Sequence, residues 1–139
     1  MGKKDDKQVS LLLWVKGNKY LLLKRDKDEH QHSEKWGLPG GRFDKNENKE
    51  EALEREVKEE MGVSIKGKDY KYLEKYPKDS TDVYVFYLES DLDLKDVTLS
   101  EEHGNVQFFT YKEIMDLGKD AIPSNLEFIK DYHKAKEKK

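Results

Sequence analysis

Cysteine is absent from this 139-residue chain, and proline occurs only three times. Without cysteine there is no disulfide framework, no zinc site built on thiolates and no thiol nucleophile. The longest apolar runs, VSLLLWV and YLLL, are far too short to span a bilayer, so no membrane association is predicted. No apolar stretch follows the first basic residues, as a secretory signal would require. We therefore expect a cytoplasmic protein.

A strong charge of one sign is also lacking. Charged residues make up 41% of the chain, but 27 basic and 30 acidic residues leave a net charge of only −3. This balance argues against a protein that binds nucleic acid or an anionic membrane through bulk charge, and no nucleic-acid track is evident. At this length we expect one domain over residues 8–139, preceded by a disordered lead-in over residues 1–7.

The distribution of strand and helix signals predicts an α+β protein with a mixed β-sheet. Two apolar segments, residues 8–15 and 19–25, flank Gly17-Asn18, which is typical of a hairpin turn. Residues 81–90 are rich in valine, tyrosine and phenylalanine, as strands are. The other predicted elements are strands near 63–77 and 105–111, and helices near 47–61, 112–118 and 123–139. Strands mixed with few helices favour a sandwich of helices on a sheet.

Four glutamates lie between Glu54 and Glu60, in the helix predicted near residues 47–61. Glu56, Glu59 and Glu60 lie at positions i, i+3 and i+4, so their carboxylates share one patch. Like charges at this spacing destabilise a helix by a few tenths of a kcal/mol per pair. Either the patch is simply solvated, or it holds a cation. Three converging carboxylates form a hard-oxygen site that suits Mg²⁺ or Mn²⁺.

The residues around the patch complete a longer pattern. Gly41 is followed after five residues by Glu47, and after seven more by REVKEEMGV at residues 55–63. The chain thus resembles the Nudix hydrolases of the MutT-like kind, because every fixed position of the Nudix box is filled. The resemblance in layout covers residues 8–132. It implies an α/β/α sandwich and hydrolysis of a small-molecule substrate, a nucleoside diphosphate linked to another group, with divalent metal help.

The resemblance also implies a role for each box residue. Three glutamates and one main-chain carbonyl would bind the metal: Glu56, Glu59, Glu60 and Gly41. Arg55 would orient the glutamates through a salt bridge, and Glu47 would support the loop. Mg²⁺ is the expected cofactor and Mn²⁺ the alternative; two cations would clamp the attacking and leaving oxygens. Which glutamate acts as the base and how many metals bind stay open.

A further acid from outside the helix is usual in this family. Glu102, six residues before the aromatic Phe108, is our candidate for an additional metal ligand, and a solvated loop glutamate is the alternative. His103 beside it is either a supporting group or a hydrated loop residue. His30 and His32, in the loop before the box, could contact phosphate or pair on a metal, although such histidines are usually solvated.

Three residues are candidates for substrate contacts. Pro123-Ser124-Asn125 resembles the Pro-x-Asn segment with which MutT-like enzymes read a purine edge, since an amide donates and accepts at once. The alternative is that Asn125 caps or opens the terminal helix. Trp36 is an aromatic residue that could stack on the base, unless it belongs to the core. Arg42, directly after the paired glycines, is expected to contact substrate.

The sequence leads to three main hypotheses for the function, beside which pyrophosphohydrolysis of RNA 5′ ends stays open. The first is hydrolysis of (d)NTPs or oxidised purine nucleotides such as 8-oxo-dGTP to a monophosphate and pyrophosphate. The second, favoured only by the position of Pro77, is hydrolysis of ADP-ribose or another nucleotide sugar. The third, a non-catalytic nucleotide-sensing module, is disfavoured because all box glutamates are present. The sequence does not indicate the oligomeric state.

Overall fold

A computed structural model describes residues 4–27 and 32–138. His30, a candidate phosphate contact, and residues 1–3 of the predicted lead-in lie outside the described residues. Within the described chain, no helix is long and apolar enough to cross a membrane.

The described residues form seven strands, three α-helices and two short 3-10 turns, in an order close to the prediction. The strands are β1 (Lys4–Lys16), β2 (Lys19–Arg25), β3 (Trp36–Gly37), β4 (Gly40–Asp44), β5 (Lys71–Lys78), β6 (Thr81–Glu89) and β7 (His103–Thr110). The helices are α1 (Lys49–Met61), α2 (Tyr111–Leu117) and α3 (Pro123–Glu137), and the turns are Leu94–Asp96 and Gly118–Asp120.

All seven strands belong to one mixed sheet. The strand order is β3-β2-β1-β6-β5, with β4 paired to β1 and β7 paired to β2. β1 is parallel to β6 and antiparallel to β2 and β4. The predicted hairpin is confirmed, because Val15 pairs with Tyr20 across the turn, where Gly17 has a φ of +62°. The predicted mixed sheet is confirmed as well.

β1 begins earlier than we expected. Lys4 and Asp5 pair with Asp44 and Phe43 of β4, so residues 4–7 are part of a strand rather than a disordered lead-in. Their polar sequence gives no strand signal, because the pairing comes from backbone hydrogen bonds to a segment far along the chain.

Successive side chains of β1 point to opposite faces of the sheet, and each face carries its own hydrophobic core. Leu12 and Trp14 pack on the α1 side, in a cluster with Leu53, Val57 and Met61, all fully buried at positions i, i+4 and i+8 of α1. The intervening apolar residues of β1 pack on the other side against α2 and α3. The arrangement is an α/β/α sandwich, as the resemblance implies.

The ends of α1 are fixed by local signals. Asn48 is the N-cap: its side chain accepts from the Glu51 N–H, while the Glu51 side chain accepts from the Asn48 N–H. The buried Ser10 hydroxyl of β1 donates to the Lys49 carbonyl at 2.8 Å. At the other end Gly62 adopts φ +67°, the left-handed C-cap conformation. These contacts set the rotation of α1 on the sheet, and with it the direction of its glutamates.

Candidate metal and phosphate site

The paired glycines bring β4 against α1. Gly40 has a φ of +132°, and a Cβ there would overlap the Ser10 carbonyl of β1, so only glycine fits. The Gly40 N–H donates to Glu60 Oε1 at 2.8 Å. A Cβ on Gly41 would overlap the Glu56 carboxylate. The missing side chains therefore let two glutamates of α1 lie directly against the β4 backbone.

Glu56 and Glu60 form a buried pair of carboxylates one helical turn apart. Their residues are only 5% and 6% exposed. Burial raises the pKa of Glu60 well above its usual value, and the Gly40 N–H only partly offsets this. The charges of Glu56 and Glu102 raise it further, while Arg25 lowers it. At Glu60, nearby positive charge therefore does not offset burial and the two neighbouring acids.

Arg55 lies on the flank of α1 that faces β4, at the centre of a second set of carboxylates. Its Nε and Nη2 donate to the two carboxylate oxygens of Glu47, at 2.7 and 2.9 Å, which is a bidentate pair. Nη2 also donates to the Arg42 carbonyl at 2.9 Å. The Glu47 hydrogen bond is the largest of the effects that raise the pKa of Arg55 above its already high usual value. Arg55 thus ties the loop before α1 to the helix.

Glu59 points towards Arg55 and not towards the buried pair. Arg55 Nη1 donates to Glu59 Oε1 at 3.1 Å, and the Glu59 side chain is 56% exposed. Accordingly, within residues 4–27 and 32–138 no three acidic or histidine side chains lie close enough together to hold a metal ion. The structure places Glu56 against Gly41 and Glu60 against Gly40, and it leaves Glu59 beside them on Arg55.

The donor set nevertheless fits a hard divalent cation. It consists of carboxylate and carbonyl oxygens, the ligands that Mg²⁺ and Mn²⁺ prefer. A cation beside Glu60 would offset the burial and the acidic charges that raise the pKa of Glu60. Glu59 is exposed and can leave Arg55, which keeps its bidentate partner Glu47.

Glu102 lies near this pair, just before β7. Its charge acts on Glu60, and its carbonyl accepts from the Asp26 N–H at 2.9 Å, which fixes the backbone beside the end of β2. His103 follows as a largely buried residue that pairs with Arg25 in the β2–β7 ladder. The structure therefore brings the predicted Glu102 to the site, while its role as a ligand stays a prediction.

The sequence analysis missed Arg25. This residue ends β2, and its charge acts on both Glu60 and His32. Burial, with the charges of Arg25 and Lys35, lowers the pKa of His32, which favours its neutral form. The sequence did contain a signal for a functional cation: Lys24 and Arg25 end an apolar run immediately before the polar loop.

The structure places Trp36 in the core. It is 9% exposed, its ring packs edge-on against Phe109 at a centroid distance of 4.8 Å, and its carbonyl accepts from the Ile122 N–H. Little of its ring is left to stack on a base. Arg42 is exposed, as a substrate contact must be.

Asn125 makes a contact that neither interpretation of its sequence anticipated. It is buried, and its Oδ1 accepts from the Leu38 N–H at 2.8 Å, linking α3 to the segment just before the paired glycines. The N-cap of α3 is Ile122, without a side-chain hydrogen bond, so Asn125 is not the cap. Its Nδ2 lies 3.4 Å from Ser124 Oγ. Whether Asn125 reads a base stays a prediction.

Comparison with known proteins decides the family. Residues 5–132 match the sequence profile described as the NUDIX domain. This chain belongs to the Nudix family. The predicted family and fold are confirmed, and the chain is a Nudix hydrolase. Hydrolases of this family generally use divalent metals.

Three relatives illustrate the range of similarity. The uncharacterized Nudix hydrolase lin0387 of Listeria innocua serovar 6a is 30% identical over 123 residues, 87% of this chain and 70% of that protein. The nucleoside triphosphatase NudI of Enterobacter sp. (strain 638) is 30% identical over 109 residues, 70% of this chain and 77% of that protein. The crystal structure of the MutT protein from Methanosarcina mazei Go1 superposes with a TM-score of 0.69 at 25% identity, covering 95% of both chains.

Proposed function

We propose that this Nudix hydrolase is a Mg²⁺-dependent pyrophosphohydrolase of nucleoside triphosphates, including oxidised purine forms, that releases a nucleoside monophosphate and pyrophosphate. The observation that carries the proposal is the buried Glu56–Glu60 pair against the side-chain-free backbone of Gly41 and Gly40. The printed activity of the NudI relative, a nucleoside triphosphatase, and the likeness to a MutT structure support this class of substrate.

The metal would be held by the Glu56 and Glu60 carboxylates and the Gly41 carbonyl, joined by Glu59 and Glu102. A bound Mg²⁺ acidifies a water molecule and neutralises phosphate charge, and Mn²⁺ has the same ligand preferences. The chain itself fixes part of the geometry: the Gly40 N–H holds Glu60, and Arg55 holds β4, the strand that carries Gly41 and Arg42. The site is thus shaped before substrate enters.

The residues of the site must also stabilise the negative charge of the phosphates and accept one proton. Water attacks one phosphorus, the bond from that phosphorus to the bridging oxygen breaks, and pyrophosphate leaves with the electron pair. A box glutamate, or a water held by it, takes the proton of the attacking water. Arg25 is the cation beside Glu60 that can face the phosphate charge.

The first experiment is a product analysis with Mg²⁺, offering 8-oxo-dGTP, the ordinary dNTPs and ADP-ribose in parallel. We expect monophosphate and pyrophosphate from the triphosphates. AMP and ribose phosphate from ADP-ribose alone would overturn the proposal in favour of a nucleotide-sugar pyrophosphatase. A matched reaction with EDTA in place of Mg²⁺ should give no product, and undiminished turnover there would contradict the metal requirement.

A further inference from the structure

Asp44, at one of the variable positions of the box, lies against Arg55 at the end of β4. Its carboxylate Oδ2 is 3.1 Å from Arg55 Nε. Its backbone is held on three sides: the N–H donates to Glu47 Oε1 at 2.6 Å, the carbonyl accepts from the Glu47 N–H at 3.1 Å, and the residue pairs with Lys4 in β1. The backbone of Asp44 is therefore fixed by the sheet and the turn, and its carboxylate lies beside Arg55.

Four carboxylates surround the single charge of Arg55, and they fall into two groups. Asp44 and Glu47 lie on the loop side, at 3.1 and 2.7 Å from Nε. Glu56 and Glu59 lie on the helix side, at 3.6 and 3.1 Å from Nη1. Glu47 already receives two hydrogen bonds from Arg55, whereas Asp44 contributes charge at close range without accepting one of the Arg55 hydrogen bonds described above.

Glu59 is the partner best able to leave. Its side chain is far more exposed than that of Glu47, at 56% against 17%, and it receives a single hydrogen bond from Arg55. An exposed pair of this kind is weak, with a typical strength below about 1 kcal/mol. How readily Glu59 leaves depends on how well the remaining carboxylates satisfy Arg55.

We propose that Asp44 is a positioning residue that holds Arg55 on the loop side, so that Glu59 can exchange Arg55 for the metal. The inference rests on the proposed metal site. Without the Asp44 charge, Arg55 faces one carboxylate fewer and attracts Glu59 more strongly. The metal then has to compete with Arg55 for Glu59, and its affinity falls.

The test is Mn²⁺ binding without substrate, followed by the electron paramagnetic resonance signal of free Mn²⁺. Partners of metal ligands typically change metal affinity by about 10- to 100-fold, and for Asp44→Asn we expect the lower end, roughly a tenfold higher Kd. Asp44→Glu, which keeps the charge, should restore most of the affinity. Asp69→Asn is the matched control, because it removes the same charge from a side chain that is 88% exposed; its Kd should equal that of the wild type.

A double-mutant cycle separates this mechanism from a general field effect. In a Glu59→Gln background, Asp44→Asn should change the Kd little, because the residue through which it acts is gone. An equal loss of affinity in both backgrounds would overturn the inference, as would an unchanged Kd in Asp44→Asn alone. Circular dichroism checks the fold, and Asp44→Ser is a second neutral variant for the same cycle. Failure of the wild type to bind Mn²⁺ would instead overturn the proposed metal site.

Discussion

Two hydrogen bonds, one made by the first of the paired glycines and one made just before it, differ in how far along the chain they reach. The glutamate site, made of Gly40, Gly41, Arg55 and the box glutamates, includes the hydrogen bond from Gly40 to Glu60, 20 residues apart. The Asn125 contact, from the Leu38 N–H to Asn125 Oδ1, joins residues 87 apart. Both act on the same short segment, residues 38–41, which therefore links the chemistry of the box to the packing of α3.

This difference indicates that the two regions have different roles. The box residues of the glutamate site lie on β4, the following loop and α1, so they come from one continuous stretch of sequence, to which Arg25 and Glu102 are added from other parts of the chain. The Asn125 contact depends on the docking of α3 on the opposite face of the sheet, beside Trp36 and Phe109. We therefore expect substitutions in the first region to abolish turnover with the fold intact, and substitutions in the second to affect stability and substrate choice.

The sharpest test of the first region is Glu60→Gln. Loss of one group that stabilises a transition state typically costs about 10²–10³-fold in kcat, and we expect a loss of this order. Thermal stability should not fall, because the neutral amide removes a buried charge. Steady-state kinetics and a melting curve measure both. Glu54→Gln is the control on the same helix, next to Tyr70, and should retain turnover; full activity of Glu60→Gln would contradict the assignment.

Gly41→Ala should have the next largest effect. The added Cβ would overlap the Glu56 carboxylate, which must then move away from the β4 backbone. We expect turnover to fall roughly 10- to 100-fold, as is typical when the support of a metal ligand is lost. Gly104→Ala is the matched control, since its Cβ would meet nothing nearer than Asp26 Oδ1 at 4.0 Å. Equal kinetics of the two alanine variants would show that the closeness of Glu56 to Gly41 is unimportant.

Asn125 offers a pair of variants that separates packing from base recognition. Asn125→Ala leaves the buried Leu38 N–H without its acceptor, which typically costs about 1–3 kcal/mol of stability. Asn125→Asp keeps an acceptor oxygen but removes the amide donor. If Asn125 reads the base, the ranking of nucleotides by kcat/KM should change in both variants. An unchanged ranking in Asn125→Asp would leave only the packing role.

The same contrast explains what the sequence could predict. The box, the N-cap of α1 and the buried positions of α1 are all features of local spacing within one stretch of sequence. The start of β1 at Lys4 and the Leu38–Asn125 bond could not be predicted, because they depend on pairing between distant segments. Within the site, local spacing allows the Arg55–Glu59 pair at i and i+4, but it could not show that Glu59 stays on Arg55 without completing a three-acid group in the described residues.

A final test concerns the pH dependence of the metal-free protein. The pKa of Glu60 is raised in the folded state by burial and by neighbouring acids, so the folded state binds this proton more tightly than the unfolded state. The stability due to Glu60 is then fully present below its unfolded pKa and is lost as pH rises through the folded value. Melting curves in EDTA should show this decline in the wild type and a weaker one in Glu60→Gln. Mg²⁺ would stabilise the charged carboxylate, so adding it at pH 7 should raise the Tm of the wild type more than that of the variant. Equal shifts in Tm would show that Glu60 does not bind the metal.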